Sequence, residues 1–253
     1  MIVGSANDRT SFMTLLENHD VKQNPASSEK LRALGEVVLL YLVGLPFVIL
    51  GLRYEDPVSM GARIFPVLGI LATFLLTWFF VRKNGFTWRD FGLAKPTSWL
   101  KTLGLGVIAT IVCLASVIFL NVVVSQFSDA QPDLRRFEDM RDNPMMLAVG
   151  IFSAWFVAAF PEEMINRGYI LTRLSIAFGD NRSVWVLCSV LTSALFGLGH
   201  YYQGPMGIVM TGSAGFLFCL VYMAVKRNLW VCIIAHGIID TLAFVSIYLG
   251  AQS

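Results

Sequence analysis

Charge is what this sequence has least of. Only 14% of its 253 residues are Asp, Glu, Lys or Arg, where soluble domains carry about a quarter. Histidine is scarcer still, at three residues. No lysine lies in the interior of a long apolar run, which removes a Ser–Lys catalytic pair. No serine or cysteine sits beside a histidine in a way that marks a covalent nucleophile. There is no Cys-x-x-Cys: Cys113, Cys188, Cys219 and Cys232 fall singly inside apolar runs. They read as small buried hydrophobes, not as a disulfide frame or a zinc knuckle. There is no His-Glu-x-x-His, so the chain is neither a zincin nor of the site-2-protease type. No basic patch interleaved with aromatics points to nucleic acid, and the net charge of +2 says little about partners. Residues 1–30 are polar and contain no apolar core of a signal peptide, so no cleavable signal is expected. No internal repeat, low-complexity stretch or second domain is visible.

What is there is apolar surface. Hydrophobic residues make up 56% of the chain, and the mean hydropathy is +0.66. A bilayer core of about 30 Å takes about 20 apolar residues per helix. On that basis seven spans are expected, roughly 33–52, 62–81, 100–124, 145–161, 184–200, 206–225 and 229–249. The fold class is all-α, a polytopic transmembrane helix bundle. Residues 1–30 form a polar tail, with a short amphipathic helix at Ser11–Leu16 and a solvated His19. Residues 31–130 hold the N-terminal spans, and 131–253 hold the functional core. The loops after spans two, four and six are basic, with Arg82, Lys83, Arg89, Lys95, Lys101, Arg173, Arg182, Lys226 and Arg227. The loop after span three is acidic, with Asp129, Asp133, Glu138, Asp139 and Asp142. Positive charge stays inside, so the N-terminus is expected in the cytoplasm. The charged segment Asp133–Asp142 is helix-compatible and stops at Asn143-Pro144.

The chain is organised around Pro161-Glu162-Glu163-Met164-Ile165-Asn166-Arg167, which ends the apolar run from Met145 to Phe160. Acids at membrane depth are costly and mark functional sites. Glu163 and Arg167 are four apart, so on a helix they share a face and can pair. Glu162 is turned by about 100° from Glu163 and is left for other work. The bland alternative is an ion pair snorkelling at a helix end.

Two further runs carry unusual polar groups. Span five ends Phe196-Gly197-Leu198-Gly199-His200, and span seven holds His236-Gly237-Ile238-Ile239-Asp240. A buried polar group without partners costs several kcal/mol, about 2–7, and one shared site is cheaper than three separate ones. Convergence is possible if the span-four helix runs on to Phe178. Glu162 and His200 then lie about 25–30 Å from the turn at Gly179-Asp180-Asn181, at equal heights in a hairpin. For His236 to lie at that depth the hairpin must project beyond the membrane face, as Arg167, Arg173 and Arg182 would allow. Small residues at Ser193/Gly197 and Thr211/Gly215 permit close helix packing. The poorly helical stretch Gly199–Gly207 fits a cavity lining, where irregular backbone at membrane depth is tolerated.

A carboxylate and a histidine facing one water can polarise it for attack on a carbonyl. A His–Asp pair opposite suits the developing oxyanion. The alternative is a metal: no cofactor is certain, but Glu162, His200, His236 and Asp240 are ligand types that suit zinc.

The three pieces resemble the signature of the CPBP family, the CAAX-prenyl-protease and bacteriocin-processing (Abi-like) intramembrane endopeptidases. That family shows Glu-Glu-x-x-x-Arg, Phe-x-x-x-His and His-x-x-x-Asn or Asp. Here they are Glu162-Glu163-x-x-x-Arg167, Phe196-x-x-x-His200 and His236-x-x-x-Asp240, across about residues 145–249. The resemblance implies that Glu162 with His200 activates water, that His236 with Asp240 stabilises the oxyanion, and that Glu163 and Arg167 hold the first motif. The eukaryotic branch has asparagine where this chain has Asp240, and an ionised aspartate accepts hydrogen bonds without donating any. The expected substrate is a peptide or membrane-associated protein, prenylated or not, cut near the cytoplasmic leaflet of a prokaryotic cell membrane. The other class of function is a non-catalytic scaffold or bacteriocin self-immunity protein that binds through the same cavity; a transporter would need an internal repeat. Oligomeric state is not encoded in these patterns.

Overall fold

A computed structural model describes residues 27–250. The expected amphipathic helix at Ser11–Leu16 and His19 lie outside the described residues. Among the described residues, seven helices are long and apolar enough to cross a membrane: α1 (Ser27–Gly51), α2 (Met60–Lys83), α3 (Trp99–Val124), α4 (Pro144–Phe178), α5 (Arg182–Gly199), α6 (Gly204–Ala224) and α7 (Leu229–Tyr248). No strand occurs among the described residues. Helices satisfy their own backbone hydrogen bonds, which apolar surroundings require. The first helix begins at Ser27, so it takes up the last residues of the expected polar tail.

Helix starts follow their side chains. Ser59, Ser98, Asn143 and Asn181 each accept a hydrogen bond from a backbone N–H three residues on, at Ala62, Lys101, Met146 and Val184. Such caps satisfy donors that a helix end leaves orphaned. Asn143-Pro144 therefore does not end a helix; it starts α4. The charged segment before it forms only a 3-10 turn, Arg135–Met140. There the Arg135 guanidinium, hydrogen-bonded to Asp133, holds that carboxyl below its usual range. The pair is therefore lost only as pH falls through that lowered value.

The fourth helix is the centre of the bundle. It packs against α1, α2, α5, α6 and α7, and residues 161–175 are buried except at Asn166. The outward faces are apolar, as at Leu100, Ile108 and Phe156. This is the pattern of a bundle whose surroundings are lipid. As the hairpin reading requires, α4 runs unbroken to Phe178, and Gly179 turns the chain with φ of 124°. Its last ten residues extend past the start of α7, where Gly168 sits beside Leu229.

The arginines in that extension are not loop charges. Arg167 and Arg173 are buried inside the protein. Arg173 pairs with Glu36 of α1, Nη2 to Oε2 at 2.7 Å. Tyr169 donates to the same oxygen at 2.8 Å, and Asn84 donates to Glu36 Oε1 at 2.7 Å. Sequence counting placed Arg173 in a basic loop because hydropathy averages cannot see a partner 137 residues away.

Candidate active site

The signature glutamates sit in an unusual stretch of backbone. Residues Ala154–Ala159 and Met164–Ile170 are wound as π-helix, flanking Phe160–Glu163. Phe160 N–H bonds back five residues to Trp155 O, and Leu171 N–H to Asn166 O. Proline supplies the local reason for the first: Pro161 has no N–H, and its ring crowds the carbonyl four residues earlier. Widening the turn relieves that crowding. Such insertions recur at functional sites. No sequence pattern signalled them beyond the proline itself.

Glu163 is fully buried and is engaged through one oxygen, its Oε2 having no hydrogen-bond partner among the described residues. Its Oε1 accepts from Arg167 Nη1 at 2.9 Å, the pairing the four-residue spacing predicts. The same oxygen lies 2.9 Å from His236 Nδ1. An ionised carboxylate only accepts, so Nδ1 carries the proton in this contact. Arg167 is held as tightly: its guanidinium carbon is 4.5 Å from the Phe196 ring centroid and 5.3 Å from that of Phe218. Its Nη2 donates to Gly215 O at 3.2 Å. A methyl group on Gly215 would crowd both Phe196 and Arg167, which explains the small residue there. Gly197, also singled out by its size, lets α5 meet α6: a Cβ there would stand 2.6 Å from Ile208 O.

Glu162 differs from Glu163 in having no ion-pair partner and in lining the cavity. It is buried, yet its Oε2 has no hydrogen-bond partner among the described residues. It faces a cavity of about 610 Å3, shared with His200, His236 and Asp240. His236 Nε2 is 3.5 Å from Asp240 Oδ2, as expected for residues four apart on one helix face. The His236 ring lies along Phe218, centroids 5.6 Å apart. His200 caps the end of α5, with Nδ1 at 2.9 Å from Phe196 O, so Nε2 is its free nitrogen. The irregular stretch is shorter than expected, only the 3-10 turn Tyr201–Gln203, because Pro205 already lies in the first turn of α6. Tyr202 and Gln203 line the cavity, as irregular backbone at depth suggested.

All six sequence-selected residues thus meet: Glu163, Arg167, His236 and Asp240 through a chain of contacts, and Glu162 and His200 across the cavity. As for zinc, no three His, Cys, Asp or Glu side chains among the described residues are grouped closely enough to hold an ion. Glu163 and two of the imidazole nitrogens are already engaged.

Several lining residues carried no usable sequence signal. Arg63 of α2 pairs with Asp139 at 2.7 Å and donates to Arg136 O at 2.9 Å. Arg136 lies over the Tyr202 ring at 3.9 Å. These contacts cross from loop to helix at long sequence range, and only the fold brings them together. The four cysteines are buried and unpaired, as expected.

A multi-pass helical bundle with an acid and histidine site in its interior is the class that fold and site define. Residues 144–242, which contain all three motif pieces, match the family model described as type II CAAX prenyl endopeptidase Rce1-like. Over those residues the chain is similar to that family. No curated protein and no solved structure matches the chain.

Proposed function

We propose that this protein is an intramembrane endopeptidase that hydrolyses a peptide bond with a glutamate-activated water. One observation carries the reading: of two adjacent glutamates, Glu163 is held through Oε1 by Arg167 and His236, while the Glu162 carboxylate has no such partner and lines the cavity. A purely structural ion pair needs only the first.

In this mechanism a water sits between Glu162 and the free Nε2 of His200. Glu162 takes a proton as the water oxygen attacks the scissile carbonyl carbon, forming the new C–O bond. Negative charge develops on the carbonyl oxygen. His236 faces it with Nε2, its ring fixed by the Nδ1 contact to Glu163 and by stacking on Phe218. Asp240 beside Nε2 keeps a proton on that nitrogen for donation. The C–N bond then breaks, and the proton held by Glu162 goes to the leaving amine. Fixed donors in a water-poor cavity stabilise such charge better than water does. The cell membrane of a prokaryote is the expected location, and a protein or peptide in or at the bilayer is the expected substrate.

The test is cleavage of a peptide panel, prenylated and unprenylated, by purified protein in detergent. Glu162→Gln and His200→Ala should each lower the rate about 10²–10⁴-fold, the usual worth of a positioned acid or base. Wild-type cleavage should survive chelation. Cleavage that both variants retain would sink the proposal, and loss on chelation with recovery by zinc would replace its mechanism.

A further inference from the structure

The cavity lies in one half of the bundle, and that half is the one away from the basic connections. Its lining comes from Arg63–Ile70 at the start of α2, from residues 113–117 of α3, from 146–162 of α4, from Phe196 and His200 at the end of α5, from 210–218 of α6 and from His236–Ile247 of α7. Loop residues between Pro132 and Met140 roof it. None of the lining comes from the connections after α2, α4 or α6.

The roof is tied down on that same face. Asp133 N–H donates to Gln203 O at 2.8 Å, and Asp142 N–H to Tyr248 O at 3.3 Å. Arg63, Arg136, Asp139 and Tyr202 make a polar rim through the contacts described above. Below the rim the lining is mainly apolar until Glu162 and the histidines. A peptide entering there meets polar groups first and the reacting residues at mid-depth.

Charge separates the two faces. On the face opposite the cavity stand Lys30 and Arg32 at the start of α1 and five lysines or arginines around the α2–α3 connection. Arg182 at the start of α5 and Lys226 and Arg227 between α6 and α7 complete that set. Removing the buried Arg173 leaves this excess intact. The cavity face carries Arg53, Arg63, Arg135, Arg136 and Arg141, of which Arg63 and Arg135 are ion-paired. Lysine and arginine near helix ends stay on the cytoplasmic side.

We propose that the active-site cavity opens on the extracytoplasmic side of the membrane and that its substrate is an unprenylated peptide segment presented there by an exported or membrane-anchored protein. The substrate class rests on the endopeptidase reading; the sidedness does not. It departs from a site near the cytoplasmic leaflet, where a prenylated cytosolic C-terminus would arrive.

The experiment has two arms on the full chain in bacterial membranes. In the first, a membrane-impermeant maleimide is applied to spheroplasts carrying Arg136→Cys, Arg135→Cys or Lys95→Cys; the native cysteines are buried. Arg136 lines the cavity mouth, Arg135 is exposed on the same loop and Lys95 is exposed on the basic face. The two loop cysteines should label from outside, and Lys95→Cys only after permeabilisation. The reverse pattern overturns the proposal. If Arg136→Cys fails to fold, Arg135→Cys still decides. In the second arm, a pooled unprenylated peptide library is given to right-side-out and inverted vesicles, with Glu162→Gln as control. Glu162-dependent cleavage is expected with right-side-out vesicles and should be lost with inverted ones until detergent is added. Cleavage by intact inverted vesicles alone overturns the substrate side. Outside labelling without cleavage in any preparation, detergent included, overturns the endopeptidase reading and its substrate while leaving the sidedness standing.

Discussion

Side-chain pairing around Glu163 makes separable demands on single residues. Arg167 Nη1 lies 2.9 Å from Oε1 of this buried carboxylate. Removing one partner of a buried pair costs about 3–5 kcal/mol, because the other charge is stranded. Arg167→Met should therefore lower thermal stability in detergent sharply. The double variant Glu163→Gln with Arg167→Met should recover most of that loss, since neither charge remains. No recovery would mean that Arg167 acts through its packing between Phe196 and Phe218 instead. Asp240 makes a different demand. Asparagine there keeps the size and adds a donor facing the cavity. Asp240→Asn should hold turnover to within about tenfold, which is about 1.4 kcal/mol of barrier, while Asp240→Ala should fall further. Equal loss in both would mean that the carboxylate itself, and not a polar group of its shape, is needed on His236 Nε2.

Helices position these groups through backbone features that can be altered one at a time. Pro161 causes the first π-turn of α4 by denying an N–H and crowding a carbonyl. Pro161→Ala restores the donor and permits regular α-winding, which gains helix stability of up to about 3 kcal/mol. It should also turn Glu162 away from the cavity. The expected outcome is unchanged or raised melting temperature with reduced turnover, measured on the same preparation. Gly197 sets the α5–α6 distance three residues before His200. Gly197→Leu forces a side chain against Ile208 O, and overpacking of this sort costs about 1–3 kcal/mol. Activity should drop by more than the lost folded fraction explains, because His200 moves with the end of α5.

Across the whole molecule, the second buried charge cluster holds α1 to α4. Glu36, Arg173, Tyr169 and Asn84 join three parts of the chain, and none of them lines the cavity. Glu36→Ala strands Arg173 and should cost about 3–5 kcal/mol of stability. Turnover per folded molecule should be unchanged. A matching loss of turnover at permissive temperature would show that the cluster also positions α4, and with it the Glu162 carboxylate.

Hydropathy alone determined that the chain is an all-helical bundle of about seven spans, because a bilayer imposes one length and one backbone solution on every crossing. Spacing alone determined that Glu163 meets Arg167 and that His236 faces Asp240, because residues four apart on a helix share a side. Their convergence with Glu162 and His200 was legible as economy, since scattered buried polar groups are costly. Other features were decided only in three dimensions. Contacts between Glu36 and Arg173, or between Arg63 and Asp139, join residues far apart in sequence, and no local pattern encodes a distant partner. The π-turns depend on how α4 packs as well as on its proline. The half of the bundle that holds the cavity follows from which ends of α2, α4, α6 and α7 enclose it. That is a property of packing, and charge counting becomes informative about it only once the helices are in place.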